Sequence, residues 1–315
     1  MNLPLSLSSC WLSHRHQDGY AMLKEIADMG FSHVELSHGV RITLVPGIIK
    51  AVEDGIIKVS SCHNFCPLPA GVIHPAPNLF EPSSQDHREQ DQWLRNTKRS
   101  IDLAAQVKAR VLVCHLGSVV FFWFNPARKL RYYMRSHPQG KYADDPKYIS
   151  VRDAALAKMR KRMPRFVETL ESNRATALEY AKQRGIAIGC ENRERFDELP
   201  LDGDFEALFS ALPPDSPVGY WHDTGHADLK ENMALLNHRE HLTRNAPRLI
   251  GFHLHDVSSH SQDHQAIGSG RIDFKMVSEF WRPGHILVLE LSPHLGPEEV
   301  LSSKRYVESL LKTLP

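Results

Sequence analysis

No stretch of this 315-residue sequence offers the roughly 18 uninterrupted apolar residues that a membrane-spanning helix requires. The opening segment MNLPLSLSSCWL is apolar but carries no basic leader, so it reads as a first strand and the protein as cytoplasmic, with no membrane partner. Net charge is equally scarce. Lys and Arg number 38 against 37 Asp and Glu, so no global field draws the chain towards nucleic acid or anionic lipid, and such a partner would need a local patch. Cysteine is sparse, odd in number and scattered, at Cys10, Cys62, Cys66, Cys114 and Cys190. That excludes a disulfide scaffold and suits reduced, packed thiols. Cys62 and Cys66 have no second pair at zinc-ribbon spacing, so packing is preferred to a metal pair. Also missing is the glycine fingerprint that a dinucleotide-binding sheet carries after its first strand.

What the sequence has is an ordinary globular composition, 42% hydrophobic and 24% charged, with enough chain to bury a large core. Short apolar runs alternate with stretches of helical period, the pattern of βα units. The runs are Leu5 to Ser9, HVEL, KVSSCH, VLVCHLGS, IAIGCEN, VGYWHD, LIGFHLHD and ILVLEL. Between the first two lies GYAMLKEIADMG, whose Met22, Leu23, Ile26 and Met29 share a helical face before Gly30 ends it. A further helix is expected over about 88–108. Eight such units without a composition break predict one closed α/β barrel, a (β/α)8 or TIM barrel, with 1–315 as a single domain.

Two connections are long. The Pro-rich segment after the third strand (Pro67, Pro69, Pro75, Pro77, Pro82) can continue neither strand nor helix. Residues 119–150, aromatic and basic together, exceed a typical βα loop and are expected to form a lid over the barrel mouth or a subunit contact in a homo-oligomer. The basic run KMRKRMPR at 158–165 reads as a solvated helical face.

Nineteen histidines direct attention to the strand ends. His63, His115, Glu191, Asp223, His253 with His255, and Glu290 each follow an apolar run at the same end of its strand. In a barrel that end is one face, where residues remote in sequence converge on one cavity. Glu191, Asp223 and Glu290 crowded together would repel one another and raise their own pKa values, a penalty that a divalent cation removes. Three carboxylates with one imidazole make a mostly hard oxygen site, suited to one Mn²⁺, Mg²⁺ or Co²⁺ ion, with Zn²⁺ compatible. Gly268, Ser269 and Gly270 form a turn that either approaches a phosphate through its N–H groups or needs positive φ. Glu35 either bonds substrate or closes the barrel floor, and His14, His16 and His38 read as loop residues.

The motifs GCENRERFD, WHDTGHADL, GFHLHDV, DHQAIGSGRIDF and LVLELSP resemble, in order, the strand-end motifs of the xylose-isomerase-like barrel superfamily, over about residues 30–291. That superfamily holds sugar isomerases and epimerases, inosose dehydratases and endonuclease IV. The resemblance implies a single metal held by Glu191, Asp223, a histidine of the seventh strand and Glu290. His253, whose spacing to Asp256 matches the family's His-x-x-Asp, is preferred to His255. Likeness to ketose epimerases implies that Asp197 and His226 hold substrate oxygens, although the position of those enzymes' arginine holds Ser259. His63, His115, His255 and His264 are the remaining candidates for substrate contact.

The expected function is a metal-dependent isomerase or epimerase of a small carbohydrate. A cation gripping adjacent hydroxyl and carbonyl oxygens eases loss of the intervening carbon-bound proton, with Glu191 and Glu290 as the proton-transfer groups. An endonuclease IV-like hydrolase, with His63, His115, Asp263 and His264 recruited to further zinc ions, or another metal-dependent lyase, is the alternative. A near-neutral chain suits duplex DNA poorly. A non-catalytic metabolite-binding barrel is the third reading.

Overall fold

The computed structural model describes residues 3–122, 124–137, 142–213 and 215–313. Its eight strands are β1 (Leu5–Ser8), β2 (His33–Leu36), β3 (Lys58–His63), β4 (Val111–Cys114), β5 (Ala187–Glu191), β6 (Val218–Asp223), β7 (Leu249–Leu254) and β8 (Ile286–Leu289). Every neighbouring pair is parallel, and β8 pairs with β1 to close the barrel in sequence order. The strands are short and almost wholly buried, as expected when helices cover the outer face and side chains fill the inner one. The fourth strand stops at Cys114, four residues before the end its apolar run suggests, because Leu116 to Ser118 turn away around Gly117 at φ +87°.

The described helices are α1 (Gly19–Asp28), α2 (Val45–Glu53), α3 (His87–Gln106), α4 (Pro126–Ser136), α5 (Pro146–Arg162), α6 (Pro164–Arg184), α7 (Phe205–Ser210), α8 (Thr224–Asn232), α9 (His238–Asn245), α10 (Phe274–Ser278) and α11 (Pro297–Thr313). The first is built as its sequence indicates. Asp18 caps it by accepting from the backbone N–H groups of Tyr20 and Ala21, and Met22, Leu23 and Ile26 face the barrel, a cap contributing about 1 kcal/mol.

Inside the barrel one large side chain sets the depth of the site. Trp221 is fully buried in a cluster with Val111, Val113, Ile286 and Val288, and its indole occupies space that only glycine leaves on the flanking strands. A Cβ on Gly251 would lie 2.2 Å from the ring, and one on Gly189 would lie 3.2 Å away. The IAIGCEN and LIGFHLHD runs thus carry glycine where the indole crosses. Its ring sits edge-on to His253, centroids 5.2 Å apart, and forms an apolar floor under the polar strand ends.

Segment 119–150 differs from a plain loop. Asn125 caps α4 by accepting from Ala127 N at 2.8 Å, with Pro126 at the first helical position, the arrangement that favours helix initiation. The start of α5 is tied down by Tyr148, whose hydroxyl donates to Met233 O at 2.8 Å, and by Arg152, which donates to Ala234 O at 2.9 Å. Residues 123 and 138–141 of this segment lie outside the described residues. The 158–165 run spans the α5–α6 junction, with Lys158, Arg160, Lys161 and Arg165 exposed and Met159 and Met163 buried. All five cysteines are free and four of them are buried. No described helix is long and apolar enough to cross a membrane.

Candidate functional site

At the C-terminal ends of β5 to β8, one ligand-type atom from each of Glu191, Asp223, His253 and Glu290 lies within 4.8 Å of the other three, and all four residues are buried. Three acidic groups out of water need a compensating cation or protons. The quartet is organised around His253. Its Nδ1 lies 2.9 Å from Glu191 Oε1, 3.1 Å from Glu290 Oε2 and 3.9 Å from Asp223 Oδ2. Its Nε2 donates to Glu35, 3.1 Å from each oxygen. Glu35 is itself held by Ser8 at 3.2 Å and Ser61 at 2.8 Å. With Nε2 committed to a carboxylate, Nδ1 faces the quartet as a lone pair when a cation is present, the carboxylate–histidine–metal arrangement. The residues therefore fit a divalent ion. Without one, His253 takes the positive charge: burial would lower its pKa, but Glu290, Glu35 and Glu191 outweigh burial and raise it well above the ordinary value. Burial pushes the Glu191 carboxyl up, and the His253 charge with hydrogen bonds from His115, His253 and His63 reverses this and holds it well below the usual range.

His255 lies differently. Its Nδ1 accepts from the backbone N–H of His264 at 2.9 Å, which leaves Nε2 to donate to Asp223 Oδ2 at 3.0 Å. Both ring nitrogens are thereby spent in orienting Asp223. His264 stacks on His255, centroids 4.1 Å apart, and its Nδ1 donates to Glu290 O at 2.9 Å.

A second group adjoins the quartet. His63 Nε2 and His115 Nε2 lie 3.4 and 2.9 Å from Glu191 Oε2. His63 Nδ1 meets the Asn64 carbonyl at 2.9 Å, and His115 Nδ1 meets Asn78 Oδ1 at 2.6 Å. Both Nε2 atoms therefore converge on one carboxylate oxygen, as donors to Glu191 in the absence of a cation; with one bound there, the Nδ1 acceptors would hold the N–H on Nδ1 and leave Nε2 free to ligate. Burial and Arg193 lower the His115 pKa to about 3, so the ring is neutral at ordinary pH.

The remaining candidates divide. His226 stays with the site: its Nδ1 is 3.8 Å from Glu191 Oε1 and donates to Asn192 O at 2.9 Å, and its backbone N–H meets Asp223 Oδ1 at 2.7 Å. Asp197 is engaged elsewhere. Arg195 donates twice to it, both bonds 3.1 Å, and Asn125 donates at 3.1 Å, so it ties the segment after β5 to the cap of α4. The acidic residue facing the site is its neighbour Glu198, 3.2 Å from Arg193 Nε; burial raises its pKa, and Arg193, His115 and the Arg195 N–H bring it down to about 2. The Gly268–Gly270 turn spends its N–H groups internally, Gly268 N and Gly270 N donating to Asp256 Oδ2 at 3.0 and 2.9 Å. A Cβ on Gly270 would lie 2.3 Å from Asp256 Oδ1, so close approach to Asp256, rather than a phosphate, accounts for that glycine.

Residues that strand-end reading does not single out also belong here. His38 packs edge-on against His63, centroids 4.7 Å apart; it follows Glu35 by three positions, the one signal available. Arg193, 3.3 Å from Glu191 Oε2, Asn192, which accepts from Asp223 N at 2.7 Å, and Asn78 complete the polar shell.

Among functionally curated proteins none matches the chain. Many solved structures share its fold at low identity. A D-tagatose 3-epimerase-like protein is 17% identical with a TM-score of 0.69, over 98% of this chain and 97% of that one. A D-allulose 3-epimerase from Methylomonas sp. is 13% identical, TM-score 0.65, over 98% of each chain. The 3-keto-D-glucoside 4-epimerase of E. coli is 12% identical, TM-score 0.65, over 98% of this chain and 100% of that one. The family model described as xylose isomerase-like TIM barrel matches residues 23–294, and the chain belongs to that family.

Proposed function

We propose that the protein is a divalent-metal-dependent isomerase or epimerase acting on a sugar, or on a sugar-like polyol or keto-sugar. The observation that carries the reading is the buried quartet Glu191, Asp223, His253 and Glu290, backed by Glu35 on the far nitrogen of His253. The sugar epimerases among proteins of similar fold support the substrate class. Hard oxygen donors favour Mn²⁺, Mg²⁺ or Co²⁺ and admit Zn²⁺. Such an ion polarises a bound carbonyl and its neighbouring hydroxyl.

The protein's own groups then divide the work. Glu290 has an oxygen to spare: Oε2 meets His253, while Oε1 has no partner among the described residues. Glu191 has none, with Oε1 on His253 and Oε2 on His115, His63 and Arg193. Glu290 is therefore the base that takes the carbon-bound proton. Glu191 serves as a ligand, and in an epimerase it must release a histidine partner to return the proton from the other face. Asn192, His255 and the His226 backbone hold Asp223 in place, and His226 and His264 remain available for substrate oxygens.

The test is solvent deuterium incorporation at carbon, measured by NMR with Mn²⁺-loaded protein and a panel of ketoses, aldoses and inososes. Exchange that requires metal is expected, and Glu290→Gln should lower kcat by about 100-fold or more while Mn²⁺ affinity, measured separately, falls far less. Absence of exchange across the panel would reject the reading.

The His63, His115 and Glu191 triad favours one second reading. Two imidazole Nε2 atoms converging on a shared carboxylate suit a further cation bridged to the first through Glu191, a two-metal site suited to hydrolysis, as in an endonuclease IV-like enzyme. Two or more tightly held ions with phosphodiester cleavage would replace the isomerase.

A further inference from the structure

We propose that the cavity between α4 and the barrel mouth receives an anionic group, phosphate or carboxylate, at the end of the substrate remote from the reacting carbons. The proposal deepens the isomerase reading and rests on it for the identity of that substrate. The cavity measures about 920 Å³, at the upper end of the roughly 300–1,000 Å³ typical of small-molecule sites and more room than a lone monosaccharide fills. Its inner wall adjoins the proposed centre through Glu194. Glu194 on its wall brings a carboxylate oxygen within 4.8 Å of a His226 ring nitrogen and of Asp263, and His226 reaches Glu191 at 3.8 Å.

Its outer wall is cationic by construction. Ala127, Arg131, Met134 and Arg135 line the cavity, and their spacing places them on one face of α4. A cavity-facing helix stripe is ordinarily apolar; here two guanidinium groups stand four residues apart. Among the described residues neither Arg131 nor Arg135 has an ion pair or a hydrogen-bond partner, whereas Arg195 across the cavity is occupied by Asp197 through both Nε and Nη2. Like charges at that spacing repel, and an anion between them converts the repulsion into two charge-assisted contacts in fork geometry. Ser259 and Ser261, from the segment after β7, face the same space and add hydroxyl donors. Glu194, the acid on the wall, sits on the inner side towards His226 and keeps the anion at the α4 end.

The probe is inorganic phosphate, titrated calorimetrically into Mg²⁺-loaded protein. Wild type is expected to bind it, and Arg131→Gln/Arg135→Gln should weaken binding at least tenfold, while Arg128→Gln/Lys129→Gln, which alters the same helix away from the cavity, should not. Matching thermal midpoints establish that the variants fold. No phosphate binding by wild type, equal binding by the cavity variant, or equal loss in both variants would overturn the proposal. With a substrate in hand, the cavity variant should raise KM about tenfold or more for the phosphorylated or carboxylated sugar and leave KM for the neutral sugar and kcat unchanged; a neutral sugar preferred by wild type would also overturn it. If no sugar is turned over, the isomerase reading fails, and the phosphate titration still decides whether the cavity binds anions.

Discussion

Lowering the pH from 7 to 5 acts on an imidazole chain buried outside the barrel wall. On β6, Tyr220 and His222 point away from the centre into α9: Tyr220 OH bonds His222 Nδ1 at 2.8 Å and His241 Nε2 at 2.7 Å, and His222 Nε2 meets His238 Nε2 at 2.9 Å. All are buried, with Phe205 and Phe252 against them. Burial, and then the His241 charge, lower the His238 pKa to about 4. Burial also lowers His241 to about 4, opposed by Asp202 and reinforced by Lys230 and Arg244. The unfolded chain takes up these protons near pH 6.5, so below that pH it binds more protons than the folded state. Stability is present above pH 6.5 and is lost as pH falls towards about 4. From the two pKa values each residue costs about 2 kcal/mol between pH 7 and pH 5, about 4 kcal/mol together, a large share of the roughly 5–15 kcal/mol of a typical domain. Urea unfolding followed by tryptophan fluorescence at the two pH values measures the loss. In His238→Gln/His241→Gln, which keeps hydrogen-bonding capacity but cannot titrate, the drop should shrink by about that amount. Because every other group titrates alike in both proteins, equal drops would refute the assignment.

Other outcomes follow from single contacts. Glu35→Gln removes the charge behind His253 Nε2 and should weaken Mn²⁺ affinity about 10–100-fold, read by calorimetry; unchanged affinity would show that Glu35 does not orient the ligand. Asp202→Asn leaves the ammonium of Lys230, 1% exposed and 2.9 Å from Asp202, buried without its counter-ion, and should destabilise by about 3 kcal/mol in urea unfolding. Removing bound metal with a chelator should lower the unfolding temperature, and adding Mn²⁺ back should restore it, as mass action requires of an ion bound only by the folded state.

The barrel and its strand-end groups were legible because buried parallel strands read as short apolar runs and a polar residue ending such a run stands out. Glu191, Asp223 and His253 lie on the strands, and Glu290 one residue beyond β8. The two strand-seven histidines could not be separated by alternation, which points both inward; hydrogen bonds divide them, Glu35 orienting His253 and His264 N occupying His255. The partners of Asp197 were not legible, because sequence spacing is blind to the Arg195 and Asn125 contacts that tie it to the cap of α4. That helix was itself masked by its composition, since exposed Arg and Tyr on most faces dilute the apolar period, although the Asn125-Pro126 start was there to find. Asn78 and His38 reach the site from loops, where no periodicity reports direction.

The most direct test of the central claim is an anomalous difference map from crystals of the Mn²⁺-loaded protein. A single dominant peak about 2.0–2.2 Å from oxygens of Glu191, Asp223 and Glu290 and from Nδ1 of His253 is the predicted result. A protein that takes up no Mn²⁺, or a peak bound by other residues with His253 Nδ1 still hydrogen-bonded to carboxylate, would contradict it.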